Sequence, residues 1–531
     1  MTVSRRDFLK AGATVASAMA LPRPLLVSFG GAPEPVPPID DPRLAELARR
    51  ALDAATGAGA AYADVRLTHT RTRGFRPAYT SDAESMVVGV RALVNGYWGF
   101  ASGPVWSPDE MARLGREAVH QAKTNALGKT RVVELAPRPV VANGHWTMPV
   151  KVDAFDVSPF EVFDHLMGLQ IFATRTRGVT VVLNQCSFTI QEKAFAASDG
   201  SYCTQRVYLG AGELVLDLEK KGQRTRGAID LLTPAGIGWE LYRDQPVREA
   251  VRALLAKLDE ELALPVKPVD VGRYDMVFDP LSMAALLDTT LGRATELDRA
   301  LGYEANAGGT SYLNAPLDML GTYRAGAPSL TVTANRSEPG GAATVQWDDE
   351  GVAPDTFHVV KDGVLTDFQT TRESAAWLAD YYAKRGLPLR SHGCANADSA
   401  INAPMQHTPN LVLVPGREAH GVDDLIAGLT TGIVLESASL SVDFQALNGM
   451  GRGKFFEVKQ GKRVARIANA GILFRAPELW RGLTALGGAA SARRYGMWAN
   501  KGEPEQATCH SVTVVPAVFK QVTLIDPLRK A

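Results

Sequence analysis

The chain has 531 residues, 46% of them apolar and 21% charged, and Lys plus Arg equals Asp plus Glu at 57 each. That length exceeds one ordinary core, so two or three domains are expected, while the balanced charge gives no electrostatic reason for nucleic acid or an anionic membrane as main partner. Four cysteines in a chain this long exclude a disulfide scaffold, and the absence of any C-x-x-C spacing excludes a zinc ribbon. Cys186 and Cys203 are the one pair close enough in sequence to bridge across a hairpin.

At the N-terminus, 4-SRRDFLK-10 sets Arg5 and Arg6 ahead of a short Ala-rich run that ends at Pro22 and Pro24. The run is too short to span a bilayer and reads as a signal segment. The arginine pair followed by Phe8, Leu9 and Lys10 resembles a twin-arginine export signal, which implies a periplasmic protein, or a membrane tether if the segment is retained. A Pro-rich linker, 32-APEPVPPIDDP-42, follows. Residues 43–60 carry Leu44, Leu47, Ala48, Ala51, Leu52 and Ala55 at helical spacing and end in glycines. Strands are expected over 61–75 and 85–102, turning at Asn95-Gly96, and a helix over 108–126. A helix at 159–176 precedes β-rich runs at 178–198 and 205–216 that turn at Asp199-Gly200. Another helix, 246–263, leads through the linker 264-LPVKPVDVG-272 into a second, strand-rich domain with helices near 280–299, 370–385 and 422–428.

The expected fold class is α+β: a helix-and-sheet N-terminal domain and a largely β, barrel-like C-terminal domain carrying one buried motif helix. The boundaries are 1–34 for the signal and start of the linker, 35–265 for the N-terminal and middle domain, and 266–531 for the C-terminal domain.

In that motif helix, Asp279-Pro280 supplies an N-cap followed by proline at the first helical position, and Leu281 to Leu287 are apolar nearly all round. Polar side chains then begin at once: Asp288, Thr289, Thr290, Arg293, Glu296 and Asp298. A buried helix that turns polar delivers those groups into an interior cleft, the place where metal ligands and a catalytic base converge in metallohydrolases.

On several blocks the chain resembles the TldD/PmbA family of metallopeptidases: 61-AYADVRL-67, 88-VGVRALVNGYWGFAS-102, 280-PLSMAALLDTTLGRATELD-298, 309-GTSYL-313, 348-DDEGVAPDTFHVVKDGVLTDF-368, 449-GMGRGKFFEVKQGKRV-464 and 500–526. Catalytic members carry His-Glu, three residues, then His, with acids shortly downstream, and bind zinc. The resemblance places the first His on Asp288, the Glu on Thr289, the second His on Arg293, and the acids on Glu296 and Asp298. The family's remaining ligand, a cysteine, falls on Ala499. Every expected zinc contact is replaced, so no metal or other cofactor is expected. The resemblance implies a peptide-accommodating cleft, a peptide or protein substrate, and a homodimer or a heterodimer with another family member.

The leading expectation is a non-catalytic, peptide-binding or partner subunit, with Arg293 and Glu296 forming an intrahelical ion pair in the former metal cavity. The alternative is an active peptidase on unfolded or modified peptides, with a site rearranged around Asp288, Glu296, His392 and Cys394. His392, Cys394, His407, Cys509 and His510 are the substitute ligands such a site could recruit. The acidic run 348–350 offers oxygen ligands for a cation, but the resemblance makes it a structural turn. No G-x-S-x-G or H-E-x-x-H exists, and the G-x-G-x-G at 449–453 lacks the strand-to-helix context of a phosphate loop.

Overall fold

Long antiparallel strands build the N-terminal half because the sequence supplies β-branched runs broken by two-residue turns. In the computed structural model, which describes residues 37–77, 79–128 and 131–528, strand Tyr62–Arg76 pairs with Tyr79–Val94, and Tyr97–Gly103 adds to its outer edge. Asn95 and Gly96 both take positive φ, 52° and 81°, the conformation a tight hairpin demands. The 19-residue strands Val179–Ala197 and Tyr202–Lys220 form a second hairpin against Tyr62–Arg76, and Gly144–Thr147 and Gln223–Ala228 complete seven strands. Residues 1–36, which hold the twin-arginine pattern and the first part of the Pro-rich linker, lie outside the described residues. Among the described residues no helix is long and apolar enough to cross a membrane.

Alternation gives this sheet two different buried faces. Val65, Leu67, Val88, Val90, Ala194 and Ala196 point toward helices Pro42–Gly57 and Pro108–Asn125. Those helices cross closely at Gly115, where a Cβ would lie 2.3 Å from the Ala51 carbonyl oxygen. Further along the sheet, Phe75, Cys186, Phe188, Leu214 and Leu216 pack with residues of helices Pro159–Thr174 and Val247–Ala263. The intervening residues Asp64, Arg66, Arg91, Lys193 and Gln205 point the other way, toward the C-terminal half, and all are buried. The 348-DDE-350 run meets them there: Asp349 pairs with Lys193 and, at 3.6 Å, with Arg66, while Glu350 lies 3.2 Å from Arg91, which also holds Asp64 at 2.6 Å. The acidic run is thus a charged seam between the two halves.

The C-terminal half holds a six-stranded and an eight-stranded sheet. In the latter, strands Thr431–Val442, Gly272–Phe278, Ala517–Ile525, Gly471–Arg475 and Asn448–Lys459 pair in that order, and Asn448–Lys459 pairs again with Thr431–Val442, closing a five-stranded barrel. The α+β expectation with a barrel-like second half is met. The main apolar core lies between this barrel, the motif helix and the six-stranded sheet, with Phe278, Leu286, Trp480 and Phe519 fully buried. Two expectations need correction. The linker 264–272 contains a short strand, Val266–Pro268, which adds in parallel to Lys462–Ala468. Cys186 and Cys203 do not pair: Cys186 faces Gly212 and Cys203 faces Phe195, about 30 Å apart along the hairpin, and all four cysteines are free and buried.

Candidate functional site

The motif helix begins as its cap requires. Asp279 accepts from the Ser282 amide at 2.9 Å and from the Ser437 amide at 3.2 Å, so one carboxylate fixes both the helix start and the neighbouring barrel strand. Residues Pro280–Leu286 are α-helical, but Leu287–Gly292 form a π-turn before α-geometry resumes for Arg293 and Ala294. The threonines bear on this widening. Thr289 Oγ1 donates to the Ala285 carbonyl at 2.6 Å and Thr290 Oγ1 to the Leu286 carbonyl at 2.5 Å, competing with the amides that would close ordinary turns. Thr290 also accepts from Trp480 Nε1 at 2.9 Å. The single helix expected over 280–299 therefore ends early: Glu296 is extended, and a separate short helix, Leu297–Ala300, follows.

The hairpin formed by Arg493–Lys501 and Gln506–Val514 lies against this segment. Its register sets Met497 opposite His510, Ala499 opposite Thr508 and Lys501 opposite Gln506, so these six side chains share one face. At one end His510 Nε2 lies 2.9 Å from Asp288 Oδ1. At the other, the buried Lys501 ammonium lies 3.0 Å from Glu296 Oε2 and 2.8 Å from Asp298 Oδ2. Between them Thr508 Oγ1 is 2.9 Å from His407 Nδ1. Ala499, where the resemblance places a cysteine ligand, is thus flanked on its own strand face by the contacts of Asp288 and Glu296.

Electrostatics at the Lys501 end are decided by charge pairing against burial. Burial alone would raise Glu296, but Lys501 and Arg299 overcome it and hold its carboxyl at about 2. Arg299 Nε contributes at 3.0 Å, and Thr408 Oγ1 donates to the second Glu296 oxygen at 3.0 Å. For Asp298 the balance differs: burial outweighs the pull of Lys501, the nearby Glu296 adds to it, and the carboxyl is raised. Lys501 is itself opposed by burial, yet Asp298 and Glu296 keep its pKa above the ordinary lysine value. His407 is pushed down to about 3 by burial and by Lys501, so it is neutral.

These residues do not fit a zinc ion of the kind the resemblance implies. Zinc needs three or more deprotonated, convergent donors, and among the described residues no group of three His, Cys, Asp or Glu is arranged to hold a metal. Asp288 is engaged by His510, and a lysine already supplies the positive charge that Glu296 and Asp298 require. Arg293 does not pair with Glu296 as expected: helix termination at Thr295 swings Glu296 toward Arg299 and Lys501, and Arg293 has no ion-pair partner among the described residues. His392 is committed elsewhere. It stacks on Phe357 with ring centroids 3.8 Å apart and lies 2.8 Å from Asp355 and 3.1 Å from Asp367. Burial opposes its charge, but the two aspartates raise it to about 9. Cys394 is fully buried in the main core, where burial raises its thiol to about 12. Cys509 alternates with His510 and so faces away from the motif helix.

Sequence reasoning missed Lys501. Its signal was the period of two: a lysine two residues beyond the position matched to a ligand shares that position's strand face.

Comparison with known proteins bears on the family and the fold. Residues 60–122 match the description PmbA/TldA metallopeptidase domain 1, and residues 271–518 match the PmbA/TldA metallopeptidase C-terminal domain. A metalloprotease of Methanocaldococcus jannaschii is 22% identical over 352 residues, 66% of this chain and 71% of its own. A metalloprotease of Methanothermobacter thermautotrophicus is 26% identical over 392 residues, 71% of this chain and 76% of its own. Two crystal structures share the fold. One, from Thermotoga maritima and described as a candidate modulator of a DNA gyrase, superposes with a TM-score of 0.68 at 16% identity, covering 91% of this chain and 100% of its own. The other, TldE from Thermococcus kodakarensis, has a TM-score of 0.66 at 13% identity and covers 90% and 99%.

Proposed function

Since the chain belongs to the PmbA/TldD family of metalloprotease-like proteins, we propose that it is a non-catalytic member, one that binds peptide or completes an active metallopeptidase as a partner subunit. The observation that carries this reading is the internal neutralisation of the motif site. His510 engages Asp288, and the Lys501 ammonium supplies the cation for Glu296 and Asp298. A general base for metal-assisted hydrolysis must be a free carboxylate beside a bound water, whereas Glu296 is closed on three sides by Lys501, Arg299 and Thr408. Thr289, at the position of the family's glutamate, spends its hydroxyl on a backbone carbonyl. The twin-arginine pattern supports placing this activity outside the cytoplasm.

Metal analysis of the purified protein, a peptidase assay with and without chelator, and co-purification with a family member carrying an intact His-Glu motif test the proposal. The expected result is no stoichiometric zinc, no chelator-sensitive hydrolysis alone, and association with the intact partner or with peptide. Stoichiometric zinc with chelator-sensitive hydrolysis sinks it.

A further inference from the structure

A second concavity lies at the opposite end of the motif helix. It has a volume of about 970 Å³ and is walled by helix Val247–Ala263, the Asp279-Pro280 cap, strand Thr431–Val442, the turn at 461–463 and residues 490–495. Its position, about 13 Å from Asp288 by helix rise, separates it from the motif site.

The charges of its wall divide into settled and unsettled ones. Glu436, buried at the floor, is neutralised by Lys257 and by Arg463, each at 2.8 Å. Arg463 also reaches Asp423 at 3.4 Å. Asp279 is occupied with capping, and burial pushes it up to about 6. Four other charged groups of the wall have no ion-pair partner among the described residues, Asp230, Glu260, Lys462 and Arg493. Of these, Asp230 and Arg493 are set on either side of Tyr495: its hydroxyl reaches Asp230, and Arg493 lies two residues before it on the same strand face. Asp230 accepts from the Tyr495 hydroxyl at 3.3 Å and has no ion-pair partner among the described residues. Its carboxyl is raised because surrounding protein outweighs the pull of Lys257 and Arg493. Arg493 donates to the Ala490 and Ala492 carbonyls at 3.4 and 2.8 Å, and among the described residues it has no carboxylate partner. The two do not pair with each other. Phe456, Ile426, Val422 and Leu264 supply apolar wall between the polar groups.

We propose that this cavity is a second binding site, which takes a short peptide with free termini, its ammonium group at Asp230 and its carboxylate at Arg493. The volume suits a ligand of a few residues. An anion alone would meet Glu436 and Asp279 as well as the cations, and a cation alone would meet Lys257 and Arg463 as well as the acids. A zwitterion meets an unpaired acid and an unpaired base at once, and the remaining Glu260 and Lys462 keep the wall balanced in sign. The apolar wall leaves room for side chains of varied size.

The test is isothermal titration calorimetry on the full chain with Ala-Ala-Ala, its N-acetylated form, its C-amidated form, inorganic phosphate and n-butylamine. The free tripeptide is expected to saturate. N-acetylation and Asp230→Asn should each weaken it about tenfold, and the two should not add, because they remove the same contact. C-amidation and Arg493→Gln form the matching pair. Asp288→Asn, at the motif site, should leave the binding unchanged, which separates this result from the reading of the motif helix. Both wall variants alter exposed residues, and circular dichroism is the check that they fold. Failure of the free tripeptide to saturate, equal binding of phosphate or butylamine, or indifference to both wall variants overturns the proposal.

Discussion

Two buried charge clusters organise this molecule, and they are built on different plans. The seam between the halves sets Arg66, Arg91 and Lys193 of the N-terminal sheet against Asp349 and Glu350 of the C-terminal half, with Asp64 on the sheet side. Each acid of the 348–350 run that pairs there is backed by more than one donor: Asp349 by two cations, and Glu350 by Arg91 and the Arg372 amide. The motif cluster instead shares one lysine between two carboxylates; Arg299 adds its guanidinium to Glu296 and its amide to Asp298, so Asp298 has no second cation. The seam is a redundant fastening. The motif cluster has a single keystone cation, Lys501, shared by both acids.

The comparison can be broken most directly at that keystone. Lys501→Ala leaves the partly buried Asp298 without a cation and the buried Glu296 with Arg299 alone, and should cost about 3 kcal/mol, read from urea unfolding. Combining Lys501→Met with Glu296→Gln and Asp298→Asn should recover most of that loss, because no buried charge is then left unpaired. Lys193→Ala at the seam should cost less, about 2 kcal/mol, since Arg66 still serves Asp349. Equal losses for the two lysine-to-alanine variants would erase the distinction.

A pH series sharpens it. Glu296 is held at about 2, below its unfolded value, so its contribution is present above about pH 4.5 and is lost as the pH falls toward 2. Asp348, at the seam, is pushed up to about 7 by burial and by the neighbouring Glu350. Its sign is opposite: that contribution is full below about pH 4 and is lost as the pH rises through 7. Asp348→Asn should therefore flatten stability between pH 4 and 7 while leaving the acid limb intact, and Glu296→Gln should do the reverse. The smallest effect concerns the π-turn. Thr290→Val removes the Trp480 hydrogen bond from a site that keeps its shape and should cost about 1 kcal/mol in thermal or urea unfolding.

Local signals made most of the fold legible. Asn95-Gly96, the Asp279-Pro280 cap and the alternation over 61–102 each point to one conformation, and each is found. The strands that close the barrel are only partly legible: pairing between 431–442 and 448–459 can be read locally, but the contact of 272–278 with 517–525 cannot. The site was half legible. Asp288, Glu296 and Asp298 do line one buried region, but their partners come from a strand more than 200 residues away, and sequence spacing carries no information about that approach. The Arg293–Glu296 pair failed because the i,i+3 rule assumes a continuous helix, and the helix stops at Thr295.

That broken regularity bears on the family's own spacing. The two histidines of the catalytic motif stand five residues apart, the interval from Asp288 to Arg293. On an ordinary α-helix, residues five apart diverge around the axis, while a turn closed i→i+5 brings them nearly into line. The π-turn at Leu287–Gly292 covers most of that interval, so its backbone has the curvature that an i, i+5 pair of side chains needs to act together.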